Sequence, residues 1–135
     1  MIAVRNDRLV FERYYKGHDQ RRGSIPLGNI TLTPDTPHDL RSISKSIVSL
    51  LYGIALSEGK VPSLETPLVD GFPAYDDLVT DPDRRRITVE HALTMTMGLK
   101  WNERLPYTDP DNSETAMDST PDRYWYVLSR SIIVC

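Results

Sequence analysis

Cysteine is almost missing from this chain: Cys135 is the sole example in 135 residues. An intrachain disulfide is therefore excluded, and no thiolate cluster is available to a structural metal. Histidine is scarce too, with three scattered copies. Asp35, His38 and Asp39 stand close together, but their spacing matches no metal site, and Asp39 reads better as an acidic residue near a helix start. No metal and no cofactor is expected. A run of about 18 apolar residues, which a membrane-crossing helix needs, is absent, as is a basic N-terminal segment followed by an apolar stretch. The reading leans to a cytoplasmic protein, although a mature secreted chain would look the same. The net charge of −3 is small, which gives no reason to expect nucleic acid or an anionic membrane. The basic triplet Arg84-Arg85-Arg86 follows Asp76, Asp77, Asp81 and Asp83 and reads as a solvated loop.

What is present fits one domain, for which about 100–200 residues is usual. Ile2 to Arg5 and Leu9 to Tyr15 are strand-like runs around the turn residues Asn6-Asp7-Arg8, predicting a hairpin over 2–15. Residues 16–38, with Pro26, Pro34 and Pro37, read as a long loop. A nucleophile helix over 42–58 and a helical region over 60–135 complete the domain. Within that region residues 60–86 are an irregular connector. Thr88 caps a helix that Gly98 closes, with His91 as a packing residue bonded to backbone. Residues 101–121 form a polar loop bearing Tyr107, and residues 123–130 are helical with Trp125 and Leu128 facing inward. The closing apolar run to Cys135 leads us to expect an incomplete C-terminus.

The stretch from Asp39 to Leu50 combines a possible nucleophile, a possible base and a helix start. Ile43, Ile47, Leu50, Leu51 and Ile54 recur at the spacing of one helical face, predicting a buried helix with Ser42 at its mouth and Gly59 as its stop. Ser42 and Lys45 then lie one turn apart on the same side. A serine hydroxyl is a poor nucleophile unless a neighbour takes its proton. Lysine can do so only in its neutral form, which a helix N-terminus and partial withdrawal from water both favour. Free N–H groups at that terminus would point at a developing oxyanion. Alone, Ser-x-x-Lys is a weak pattern. A second copy, Ser57-Glu58-Gly59-Lys60, sits at the wrong end of the helix dipole, and on the pattern alone an ordinary N-cap serine beside a solvated lysine is the better reading of Ser42.

Three segments together resemble one known family. Val4-Arg5-Asn6-Asp7-Arg8-Leu9-Val10 is similar to its opening hairpin and Arg41-Ser42-Ile43-Ser44-Lys45-Ser46 to its nucleophile motif. Residues 87–99, ending in Thr96-Met97-Gly98-Leu99, are similar to its second helix. The family is the serine β-lactamase and penicillin-binding-protein superfamily, on the class C side that includes carboxylesterases, D-amino-acid peptidases and 6-aminohexanoate-dimer hydrolases. The resemblance spans nearly the whole chain. It implies an α/β chain of the α+β type, an antiparallel sheet with packed helices plus a helical region, of which this would be the N-terminal part. It further implies hydrolysis of a small-molecule ester or amide through an acyl-enzyme on Ser42 with Lys45 as base. The acidic loop around Tyr107 resembles that of the esterase and nylon-oligomer branch, where a tyrosine in this region contacts substrate, so Tyr107 is the expected substrate contact.

The family's third catalytic residue is a tyrosine in Tyr-x-Asn or Tyr-x-Ser, and none of the seven tyrosines here stands in that motif. The resemblance places it, and a later Lys-Thr-Gly-like or His-x-Gly strand, past Cys135. The expectation for the chain itself is therefore poor hydrolysis, and the alternative is an inactive pseudoenzyme or ligand-binding remnant. The substrate within the class and the oligomeric state are not legible.

Overall fold

The computed structural model describes residues 1–21, 25–37 and 40–133. The chain divides into two compact units, Met1–Asp39 and Leu40–Cys135. His38, Asp39 and Cys135, weighed above, lie outside the described residues. The architecture is α+β, with antiparallel strands and several helices.

In the first unit, strands β1 (Ile2–Arg5) and β2 (Arg8–Glu12) pair antiparallel, with Arg5 opposite Arg8. Asn6 and Asp7 between them have φ of 48° and 58°, the left-handed pair that a two-residue hairpin turn demands and that Asn and Asp tolerate best. Residues 16–38 correct the expected loop. Lys16–Arg21 (β3) and Ile25–Thr31 (β4) form a second antiparallel hairpin, with its register shifting between Asp19 and Gln20. Pro26 lies opposite Gln20 beside that irregularity, where a missing N–H is tolerated, so the proline marks a bulge rather than a break.

The second unit begins with α1 (Ile43–Ser57), within a residue of its predicted bounds at each end. Its C-terminus is closed by Gly59 at φ 66°, with Gly59 N–H donating to Leu56 O and Lys60 N–H to Ala55 O. This is a Schellman pair, which satisfies two otherwise orphaned carbonyls. The expectation that the helix is buried is not met. Ile43, Ile47, Leu50, Leu51 and Ile54 are all exposed, and the half-buried stripe is Ser49, Tyr52, Ala55 and Leu56 instead. Tyr52 fixes that stripe by donating its hydroxyl to the Pro62 carbonyl at 2.7 Å.

The core lies where irregular structure was expected. Pro67 pairs with Thr88 in an isolated bridge, bracketing a 3-10 turn at Leu68–Gly71, α2 (Asp76–Val79) and a second 3-10 turn at Arg84–Arg86. Val69, Leu78 and Leu128 are buried together, packed by Leu68, Phe72, Tyr75 and Val79. Each such side chain contributes roughly 1.5–3 kcal/mol on leaving water. Next comes α3 (Val89–Leu93), shorter than predicted because Met95 turns left-handed at φ 59° before Gly98 is reached. The expected loop over 101–121 contains a further helix, α4 (Ser113–Ser119), and α5 (Arg123–Leu128) follows. In α5, Leu128 faces inward as expected while Trp125 is exposed. The basic triplet needs correction too. Arg84 is 12 % exposed at its side chain and binds the carbonyls of Leu128, Ser129 and Arg130 at the end of α5, whereas Arg86 stays in solvent.

Asp122 joins α5 to the core. Its carboxylate accepts from Trp125 N–H at 2.9 Å and from the Tyr75 hydroxyl at 2.8 and 2.9 Å. The Trp125 backbone bond first, and the Tyr75 bond second, hold its pKa below the ordinary 3.8. A lowered carboxylate pKa adds stability that is present above the unfolded value and lost as pH falls through the folded one. Thermal midpoints should therefore fall as pH drops from about 4 toward 2, and Asp122→Asn, which keeps an N-cap oxygen, should flatten that fall. An equally steep acid fall in the variant would assign it to other groups. Among the described residues no helix is long and apolar enough to cross a membrane.

Candidate active site

Ser42 is the N-cap of α1, yet its side chain makes no capping bond. An ordinary N-cap serine accepts from the second or third helical N–H. Here Lys45 Nζ lies 3.3 Å from Ser42 Oγ, within hydrogen-bonding distance. The contact between Ser42 and Lys45 that the spacing predicts is thus formed, and the local geometry departs from plain capping. The second Ser-x-x-Lys is engaged elsewhere. Ser57 Oγ donates back to Ile54 O at 2.7 Å, and Lys60 pairs with Glu58 at 2.6 Å.

Two sequence expectations about this turn are corrected. Ser42 and Lys45 are both exposed, so the lysine is not withdrawn from water. The three amides after Ser42 are occupied as well: Ile43, Ser44 and Lys45 N–H donate to Leu40, Arg41 and Ser42 carbonyls at 3.0–3.1 Å. These amides are therefore not free to donate to a ligand, and the helix start offers a negative group only its dipole.

Arg41, immediately before the serine, has φ 51°. A non-glycine residue held left-handed costs on the order of 1–3 kcal/mol and persists where its surroundings fix it. Here the backbone N–H and hydroxyl of Ser44 both donate to the Arg41 carbonyl. Nothing in an Arg-Ser sequence signals this turn.

Tyr107 lies in the loop that precedes α4. Tyr107 is 41 % exposed. Its phenol is raised above the ordinary 10.0, first by the negative charge of Glu114 and by the hydrogen bond it makes to that carboxylate, then by partial withdrawal from water and by Glu103, while the positive charge of Arg41 opposes them. Tyr107 thus feels the charges of Glu114 and Glu103 and, most weakly, of Arg41, the residue before Ser42. An open depression lined by Trp101, Asn102, Glu103 and Arg104 adjoins the start of the loop. Sequence reasoning singled out Tyr107 alone. Asn112 and Glu114 carried a signal, a favoured N-cap followed by an acidic first-turn residue, that would have placed α4.

His91 matches its expected packing role: Nδ1 accepts from Thr88 N–H at 3.0 Å and lies 2.9 Å from the Thr88 hydroxyl, at the start of α3. Among the described residues no three His, Cys, Asp or Glu side chains are grouped to hold a metal ion. Neither the curated proteins nor the solved structures yield a match to this chain. A family model described as Beta-lactamase does match residues 1–129, nearly the whole chain, and the chain belongs to that beta-lactamase family.

Proposed function

We propose that the chain carries the acylating site of a serine hydrolase acting on a small-molecule ester or amide. The observation that carries this is the Lys45 Nζ to Ser42 Oγ approach of 3.3 Å at a helix N-terminus where the serine makes no capping bond. Ser42 Oγ bonds to the substrate carbonyl carbon as its proton passes to the Lys45 amine, and when the tetrahedral adduct collapses that proton goes to the departing alcohol or amine, whose bond to the carbonyl carbon breaks. The positive end of α1 favours the negative charge on the carbonyl oxygen. Tyr107 lines the substrate position, a role supported by its exposed ring and its electrostatic neighbourhood with Arg41. The esterase and 6-aminohexanoate-dimer branch is our choice within the family, resting on this loop.

With p-nitrophenyl butyrate the expected result is a burst of p-nitrophenolate equivalent to one per chain, absent from Ser42→Ala. A burst that survives in Ser42→Ala would refute the assignment. A second reading, acylation or ligand binding without turnover, is favoured by the exposure of both Ser42 and Lys45. It expects the burst with no steady phase after it.

A further inference from the structure

Asn112 and Ser113, at 0 % and 1 % exposure, are the least exposed side chains among the described residues, below Val69, Leu78 and Leu128. Apolar side chains usually hold that place, and a buried amide is tolerated only when its polar atoms are paired. Asn112 meets the condition entirely within one loop. Its Oδ1 accepts from Glu114 and Thr115 N–H at 3.0 and 3.2 Å, capping α4. Its Nδ2 donates to Leu105 O at 2.7 Å, and its own N–H donates to Asp109 O at 3.1 Å. Ser113 closes the loop base by a two-way pair with Asn102: Ser113 N–H to Asn102 O at 2.8 Å, and Asn102 N–H to Ser113 Oγ at 2.9 Å. Thr115 then donates its hydroxyl to Tyr107 O at 2.9 Å. The bonds from Asn112 and Thr115 straddle Tyr107, at Leu105 and Asp109 on either side and on its own carbonyl. A loop serving only as a connector does not need its most buried residue, Asn112, bonded to the residues two before and two after one exposed aromatic.

We infer that Asn112 is a positioning residue: through its bond to the Leu105 carbonyl it fixes the 102–113 loop so that Tyr107 is held ready against the acyl group of a substrate on Ser42. The inference rests on the reading of Tyr107 as the substrate contact. Rigid presentation lowers the ordering cost of binding, so its loss weakens substrate capture while leaving the chemistry at Ser42 and Lys45 untouched.

Asn112→Asp keeps the oxygen that caps α4 but sets a negatively charged oxygen against Leu105 O, so Asn112→Ser, which keeps a capping oxygen and removes the Nδ2 donor without adding charge, is measured beside it and must show the same kinetic change. In the full chain, circular dichroism should report an unchanged fold. The p-nitrophenyl butyrate concentration giving half-maximal burst rate should rise about tenfold with the limiting rate kept. Tyr107→Ala should show the same rise, and the double variant no more than either alone. An unchanged half-saturation in Asn112→Asp, or a double variant showing the product of the two rises, overturns the inference. Should the parent chain give no burst, the acyl-transfer reading fails separately, and ultraviolet titration of Tyr107 against Tyr107→Phe decides the positioning. A phenol returning toward 10.0 in Asn112→Ser, which removes the Nδ2 donor without adding a charge, supports it, and one that stays raised overturns it.

Discussion

Lys45→Met is expected to slow acylation of Ser42 by on the order of 10³-fold, the middle of the range for loss of a positioned general base. Methionine keeps an unbranched side chain of similar reach and helix preference, so α1 should persist and only the amine is lost. The geometry makes this specific. Lys45 Nζ is 3.3 Å from Ser42 Oγ, whereas Lys60 is paired with Glu58 and Ser57 bonds Ile54 O. Lys60→Met should therefore leave the rate within about twofold, since the exposed pair it breaks is worth little. Comparing the two variants by burst rate with p-nitrophenyl butyrate tests the assignment at the level of individual lysines. Equal rates in Lys45→Met and the parent would show that Lys45 is not the proton acceptor.

The second large effect falls on stability, at a residue the sequence disguises. Arg84→Ala should cost about 3 kcal/mol, the loss of a charged donor to several half-buried acceptors. Arg84 Nη1 binds Leu128 O, Nη2 binds Ser129 O and Arg130 O at 3.1 Å each, and Nε lies 3.2 Å from Asp81. Three carbonyls at the end of α5 lose their partner together, next to Leu128 in the core. Arg84→Lys should recover only part of the loss, because an ammonium cannot span the same acceptors as a planar fork. Arg86→Ala is the internal control: Arg86 is 84 % exposed and 3.9 Å from Asp83, and its removal should change stability by less than about 1 kcal/mol. Urea unfolding midpoints of the three variants measure this directly. Equal effects of Arg84→Ala and Arg86→Ala would show that the carbonyl cap contributes nothing.

The adjacent arginines show why part of the fold was legible in the sequence and part was not. Charge runs report average solvation, and only the tertiary path of α5 selects Arg84 as its cap. The first hairpin was legible because Asn6-Asp7 supplies left-handed turn residues between alternating runs, and α1 because Gly59 closes a long periodic segment. The same periodicity misled about burial, since a stripe of isoleucine and leucine records a capacity to pack and not a partner. The core arose instead from 68–79 and Leu128, in short turns between prolines that show no period. Residues 16–31 were missed because the Pro26 bulge reads as a breaker. At the site, the contact between Ser42 and Lys45 follows from helical spacing alone. The left-handed Arg41 and the buried Asn112 depend on how neighbouring backbone closes around them, which residue identity does not announce.

Peptide mapping by mass spectrometry after fluorophosphonate treatment goes straight to the nucleophile. We expect one adduct, on the peptide containing Ser42, none on the peptide containing Ser57, and none in Ser42→Ala. An adduct on any other residue, or undiminished labelling of Ser42→Ala, would contradict the assignment.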